Sequence, residues 1–374
     1  MSHSGTSATG GGAGPLVFYV SGHGLGHASR ACQVISQLPS DIPVIVKSRA
    51  PEAFFRRESR RGAGLGYIDE AWDSGAAQID NRIIDWHATL AAATAAQDAA
   101  DGRMASEAAW LREIGAVAVA TDVAAPPLRA AAMAGVPGVW IGNFSWVEIF
   151  EAGFAAAGID GRALLDRYRA DQALATVAVR TPPAFPLVDF PHVRTVEPVG
   201  RAGTPRRGEL MAALGLRQGT DRLALLYLGA WGGGAGGGAA SAGIAAAAAG
   251  GWTFLSLSDC APPVRRLCPD LWHFPDVVAS VDVVVAKPGY GTAGECMANG
   301  VPTLYHPRPE FAEYPVLEAA MRRWGGAVRI PPADFDSGAW LPWLERAAAL
   351  RPGRVPSGGA RQAAGIIAGL ARTV

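Results

Sequence analysis

Residues 16–30 read LVFYVSGHGLGHASR, and the order of events within them decides the fold. Residues 16–21 (LVFYVS) form an unbroken apolar, β-prone run, the mark of a strand buried on both faces. Gly22, Gly24 and Gly26 let the backbone turn tightly at its end. A helix is expected over 29–38, with Ala31, Val34, Ile35 and Leu38 on one face. Residues 42–47 (IPVIVK) then supply a second strand. Strand, glycine loop, helix and strand make a βαβ unit, which implies a parallel sheet with helices on both faces.

The alternation continues outward. It predicts helices over 88–114, 127–134 and 164–175, and strands over 116–121 (AVAVAT), 138–141 (GVWI) and 177–180. Residues 181–207 change character. They carry Pro182, Pro183, Pro186, Pro191, Pro198 and Pro205 among several arginines, the composition of an inter-domain connection. A second α/β series follows, with strands at 223–228 (LALLYL), 252–256, 281–286 and 302–305. A glycine-rich loop is read over 229–238, and helices over 291–299, 315–323 and 359–371. Gly300 supplies a C-cap. The fold class is therefore α/β with two Rossmann-like halves. The boundaries are a disordered tail at 1–14, a first domain over 15–200, a second over 201–357 and a C-terminal helix over 358–374.

Composition agrees with that division. A chain of 374 residues exceeds one ordinary core, and 49% hydrophobic against 18% charged residues fills two. Lys+Arg 33 against Asp+Glu 33 argues against nucleic acid as a main partner, which would need a basic excess. The arginine-rich run 56–61 reads as a solvated face. Cys32, Cys260, Cys268 and Cys296 show no metal-ligand spacing, and Cys32, Cys268 and Cys296 read as small buried residues. Without a disulfide framework, a reducing, cytoplasmic setting is expected. The first fourteen residues lack the charged and apolar regions of a signal peptide. No window offers the uninterrupted apolar run of ~18–20 residues that a spanning helix needs, so no transmembrane segment is expected.

Two loops carry residues suited to chemistry. His23 and His27 admit three readings: a metal pair at i and i+4, rings capping backbone, or a general base near neutral pH. Backbone capping suits His23, and a base facing a cleft suits His27. A base needs an orienting group. Asp122 ends the strand read at 116–121, and parallel strands place both residues at the ligand edge of one sheet. A helix N-cap is the other reading of Asp122. The second loop is AKPGYGTAGE, residues 286–295. Lys287, Gly289, Tyr290, Gly291 and Thr292 follow a buried strand and open a helix, an anion cradle that complements Gly24 and Gly26 in the first half. Glu295 either accepts from ribose hydroxyls or favours the helix dipole. Trp86 and Trp146 read as stacking platforms for a sugar or aromatic acceptor, or as core. No D-x-D motif suited to a divalent ion is read.

SGHGLGHASR, ATDVAAPPLRAAAMAGVPGVWIGNFSW and VVVAKPGYGTAGECMANGVPTLY resemble the glycosyltransferase-like N-terminal region of plant L-arabinokinase and its bacterial stand-alone relatives, from Leu16 onward. More distantly, both loops resemble the GT-B superfamily, which includes UDP-sugar-dependent plant and macrolide transferases. The resemblance implies two Rossmann-like domains facing across a cleft, with acceptor on the first, nucleotide sugar on the second, and the last helix packed back on the first. It implies His27 as base oriented by Asp122, and diphosphate and ribose held at Gly289, Gly291, Thr292 and Glu295. It places the donor sugar near 309–314 (PEFAEY), at Glu310 and Glu313. The donor implied is UDP-linked, with no cofactor and no metal. Lys287 stands where many transferases have histidine, and the extended plant signature with its tryptophan, glutamine and asparagine is absent. In plants the region is fused to a sugar kinase. No GHMP-type phosphate loop follows here, which implies a link to a separate kinase. Three functions follow: an inverting glycosyltransferase, a non-catalytic nucleotide-sugar-binding or partner module, and a nucleotide-sugar epimerase or hydrolase.

Overall fold

The computed structural model describes residues 14–79, 83–217, 219, 221–228 and 238–373. The expected tail up to residue 13 and residues 229–237 of the expected glycine-rich loop lie outside them. The first half runs β1 (Leu16–Val20), α1 (Leu25–Gln37), β2 (Val44–Ser48), α2 (Glu52–Ser59), β3 (Leu65–Asp69), α3 (Trp86–Glu113) and β4 (Ala118–Asp122). It continues through α4 (Pro126–Ala134), β5 (Gly138–Gly142), α5 (Trp146–Ala157), α6 (Arg162–Gln172), β6 (Val177–Arg180) and β7 (Val193–Thr195). The second half runs α7 (Arg207–Ala213), β8 (Arg222–Tyr227), α8 (Gly238–Ala249), β9 (Trp252–Ser256), β10 (Arg265–Arg266), α9 (Phe274–Val278) and β11 (Val283–Ala286). It ends with α10 (Tyr290–Asn299), β12 (Thr303–Tyr305), α11 (Tyr314–Trp324), β13 (Ala327–Arg329), α12 (Pro332–Ser337), α13 (Leu341–Ala348) and α14 (Gly359–Ala371).

Every strand pair in both sheets is parallel. The seven-stranded sheet has the order β3-β2-β1-β4-β5-β6-β7, and the six-stranded sheet β10-β9-β8-β11-β12-β13. In each, the order reverses beside the first strand, between β1 and β4 and between β8 and β11. A crevice opens at the carboxyl ends of the strands at such a point. Strand alternation builds the cores on either side. Leu16, Phe18 and Val20 face α1 and α14, whereas Val17 and Tyr19 face α3 and α4. In β8, Ala224 and Leu226 enter one core while Leu223 and Leu225 enter another.

Several expectations shift. The helix after the first loop begins at Leu25, with Gly24 as N-cap at φ 82° and Gly26 inside the first turn. The proline-rich stretch contributes β7 to the first sheet before the connection begins. Cys268 is exposed, because its neighbour Leu267 takes the inward direction after β10. The arginine run is only partly solvated: Arg61 donates to the carbonyls of Leu38 and Pro39 at 2.9 Å each.

The connection is fastened to α10. A Cβ on Gly200 would lie 2.4 Å from the Gly294 carbonyl, and one on Gly294 2.5 Å from that of Val199. Asn299 Nδ2 donates to the Arg201 carbonyl at 2.9 Å, and its Oδ1 accepts from the Gly203 amide at 2.8 Å. The chain then crosses back, with Gly358 bridged to Val199. Ala363, Ala364, Ile367 and Ala371 of α14 join the core that holds Ala31, Val34 and Ile35 of α1.

Candidate active site

The register of the first sheet sets Val20 beside Asp122. The Gly loop after β1 therefore turns directly over the end of β4. His27, in the first turn of α1, places Nδ1 2.7 Å from Asp122 Oδ1. Arg30, three residues on and so on the same helix face, closes on the same carboxylate. Its Nε lies 2.7 Å from Oδ2 and its Nη2 2.7 Å from Oδ1. Arg30 Nη1 donates to Asn143 Oδ1, and Asn143 Nδ2 donates to the Thr181 and Pro183 carbonyls. The ends of β4, β5 and β6 are thus tied around one carboxylate.

Asp122 is fully buried. Burial alone would raise its pKa, but Arg30 and the His27 hydrogen bond hold it below the usual carboxylate range. An ionised Asp122 accepts from Nδ1–H of His27, which leaves Nε2 outside that bond. This placement replaces the N-cap reading, since α4 starts after Ala125. His23 lies outside the helix. Burial, followed by the charges of His27, Lys287 and Arg308, lowers it to about 4, so its ring is neutral. It stands edge-on to Trp146 at 5.6 Å, and a Cβ on Gly75 would come within 2.4 Å of it. Nδ1 of His27, one of the two nitrogens the metal-pair reading would draw on, is engaged by Asp122. Among the described residues no group of three His, Cys, Asp or Glu side chains is placed to hold one. The string Asp334-Phe335-Asp336 lies in α12, where Asp334 accepts from the Trp343 indole.

Of the two readings open for Trp86 and Trp146, stacking platform or core, the contacts of both are those of packing. Trp146, 2% exposed, stacks on Phe150 at 5.2 Å and donates its indole N–H to Asp73 at 2.7 Å. It forms a floor beside both histidines, with its centroid 6.1 Å from that of His27. Trp86 lies edge-on to Phe154 at 6.0 Å and fills the space over Gly153, where a Cβ would meet it at 2.1 Å.

The second domain faces this constellation with positive charge. Gly289 caps α10 with no side-chain bond to its first amides. A Cβ on Gly24, Gly26, Gly289 or Gly291 would meet nothing within 4 Å, so all four glycines border open space. Lys287 is lowered to about 8 by burial and then by Arg308, with Glu313 opposing. Burial raises Glu313, and the opposing charges on it include Lys287 and His27 from the other domain. Tyr290 reaches across to Phe144, ring centroids 5.8 Å apart, and its buried hydroxyl has no hydrogen-bond partner among the described residues. Beside it, Gly26, Arg30, Asn143, Tyr290 and Gly291 line a cavity of about 20 Å³, room for about one water. Thr292 is half-buried in the first turn of α10, and Glu310 is exposed.

Glu295 is placed differently from the expectation. It is 1% exposed, and its Oε1 accepts from Arg201 Nε at 2.8 Å and Nη2 at 2.7 Å. Burial raises it to about 7 against the pull of Arg201. Arg201 also pairs with Glu58 of α2. The physical reason is helical geometry: position 295 shares its side of α10 with Asn299, which is bonded to the connection. Glu295 therefore joins the domains rather than lining the cleft.

Comparison with known proteins places this geometry. No family model matches the chain. It is 31% identical over 345 residues to L-arabinokinase of Arabidopsis thaliana, covering 90% of this chain and 32% of that protein. The chain thus spans about a third of the relative's length. Solved structures similar to it include the glycotransferase of kitacinnamycin, with TM-score 0.61, 17% identity, and 96% and 97% of the two chains covered. A Polygonum tinctorium UDP-glucosyltransferase complexed with 3,4-dichloroaniline has TM-score 0.59, 14% identity and coverage of 97% and 100%. Glycosyltransferase VinC in complex with dTDP has TM-score 0.56, 15% identity and coverage of 96% and 95%. The chain shares the two-domain fold of these glycosyltransferase structures and is similar to about a third of L-arabinokinase. In this two-domain fold the site residues that the sequence does not mark are Arg30, Asn143, Asp73 and Arg308. Arg30 was within reach, since a helix starting at Leu25 puts it one turn from His27. The other three come from loops, where no periodicity marks a direction.

Proposed function

We propose that the chain is an inverting, metal-independent glycosyltransferase whose donor is a nucleotide sugar, UDP-linked. The observation that carries this reading is the His27–Asp122–Arg30 cluster facing Lys287 and the uncapped start of α10 across one crevice. His27 Nε2 takes the proton of an acceptor hydroxyl, whose oxygen bonds to the anomeric carbon from the face opposite the diphosphate. The bond from that carbon to the phosphate oxygen breaks, and the nucleoside diphosphate leaves with the electron pair. Asp122 stabilises the imidazolium. Lys287, Thr292 and the amides of Tyr290 and Gly291 receive the leaving charge, the service a metal performs elsewhere. The unpartnered Tyr290 hydroxyl suits a polar group of the donor, and Glu313 suits its sugar hydroxyls.

His27→Ala should lower turnover by about 100- to 10,000-fold, the worth of a positioned base, while nucleotide binding survives. Asp122→Asn should act less severely, and the double variant should be little worse than His27→Ala. Undiminished transfer by His27→Ala would remove the base. A second reading is a nucleotide-sugar-binding module working with a sugar kinase. It is favoured by the match to one third of L-arabinokinase, and nucleotide affinity without turnover for any acceptor would select it.

A further inference from the structure

A second cavity, of about 370 Å³, lies in the second domain and shares no lining residue with the one at the crevice. It exists because β13 is the last strand of its sheet. Among the described residues no strand covers the outer edge of β13, and α11 and α13 both pack against it. Arg322 of α11, Arg329 of β13 and Arg346 of α13 converge on this space, and Ala327 and Val328 line it. Among the described residues none of the three guanidiniums makes a hydrogen bond or ion pair; Arg346 only leans on Trp343, 5.9 Å from its ring centroid. Arg322 and Arg329 are near enough to Tyr305 to act on its hydroxyl electrostatically. The one acid of the lining, Glu318, is held by two hydroxyls: Tyr305 and Tyr314 donate to its Oε1 at 2.9 and 2.6 Å. Three positive charges therefore face one negative charge whose geometry is already set.

Arginine on an edge strand serves to discourage edge-to-edge pairing, and exposed single arginines need no other explanation. Here three arginines from three separate elements meet at one concavity, and its volume falls within the ~300–1,000 Å³ of small-molecule sites. Guanidinium forks match the oxygens of a phosphate. We propose that this cavity is a second ligand site, for a phosphomonoester dianion of monosaccharide size. The proposal does not depend on how the crevice functions.

The test is calorimetric titration of the full chain with inorganic phosphate, a pentose 1-phosphate and a nucleoside monophosphate, each with and without UDP at a concentration that fills the crevice. Saturable binding that persists with UDP present is expected. The Arg322→Gln, Arg346→Gln pair should weaken it about 100-fold, about tenfold per charge-assisted hydrogen bond. Glu318→Gln, which keeps an acceptor for both tyrosines, should tighten it. Stronger binding of the sugar phosphate than of inorganic phosphate would identify an organic ligand, and equal binding the free anion. Either supports the site. No saturable binding, or equal affinity in the folded double variant and the unaltered chain, overturns it.

Discussion

Asp122 sits without solvent contact between one imidazole and one guanidinium, so its charge depends on Arg30. Removing one partner of a buried pair leaves the other uncompensated, at a cost of about 3–5 kcal/mol. Arg30→Met should destabilise the first domain by that order in urea denaturation, and Arg30→Met with Asp122→Asn by less than the sum of the single effects. The pH dependence has a definite sign. The folded-state value of Asp122 is lowered, so its contribution is present above the unfolded value of about 3.9 and is lost as pH falls through the folded one. The gap between the unaltered chain and Arg30→Met should accordingly narrow below about pH 4. Lys287 titrates in the opposite sense. With its value lowered to about 8, it is charged at neutral pH, and a bound diphosphate would raise it. Nucleotide affinity should fall as pH rises past about 8, and Lys287→Met should bind weakly with a flat profile. An unaltered chain with a flat profile would separate Lys287 from the phosphates.

At the scale of elements, two glycines of α10 make opposite predictions. Gly294 abuts the Val199 carbonyl, so Gly294→Ala forces helix and connection apart and should cost about 1–3 kcal/mol. Gly291 meets nothing, so Gly291→Ala should fold normally yet weaken nucleotide binding by putting a methyl group into the crevice. Thermal melts with and without UDP separate the two. The same helix shows what was legible in the sequence. Its start after a buried strand and its end at Gly300 follow from local chemistry, and so does the meeting of His27 with Asp122, because both lie at strand ends of one parallel sheet. The bond of Glu295 to Arg201 was not legible: it depends on which side of α10 the connection passes. Trp146 stays open between platform and core in the sequence because an indole beside a loop looks alike whether it lies over a cleft or under one. The start of α1 lies four residues ahead of the expected 29 because its first turn accommodates Gly26. The strand β3 carries no apolar pattern in the sequence, because only Leu65 among its five residues is buried.

For the whole molecule, the chain crosses between the domains twice, and the crossings touch at Val199 and Gly358. Arg201 adds a charged link between Glu58 and Glu295 at the same place. Arg201→Ala should leave Glu295 buried and unpaired, lower the melting temperature and loosen the relative setting of the domains, visible as a larger radius of gyration by small-angle scattering. Ile367 of α14 is fully buried in the core of the first domain, so Ile367→Ala should cost about 2–5 kcal/mol, read as the unfolding of that domain by hydrogen exchange. This return of α14 also bears on synthesis. When residue 200 leaves the ribosome, all seven strands of the first sheet have been made, but α14, which shares one face of that sheet with α1, has not. The nascent first domain has α1 on that face but lacks α14 beside it until the rest of the chain is translated, so a chain cut short anywhere in the second domain leaves the apolar residues under α14 exposed.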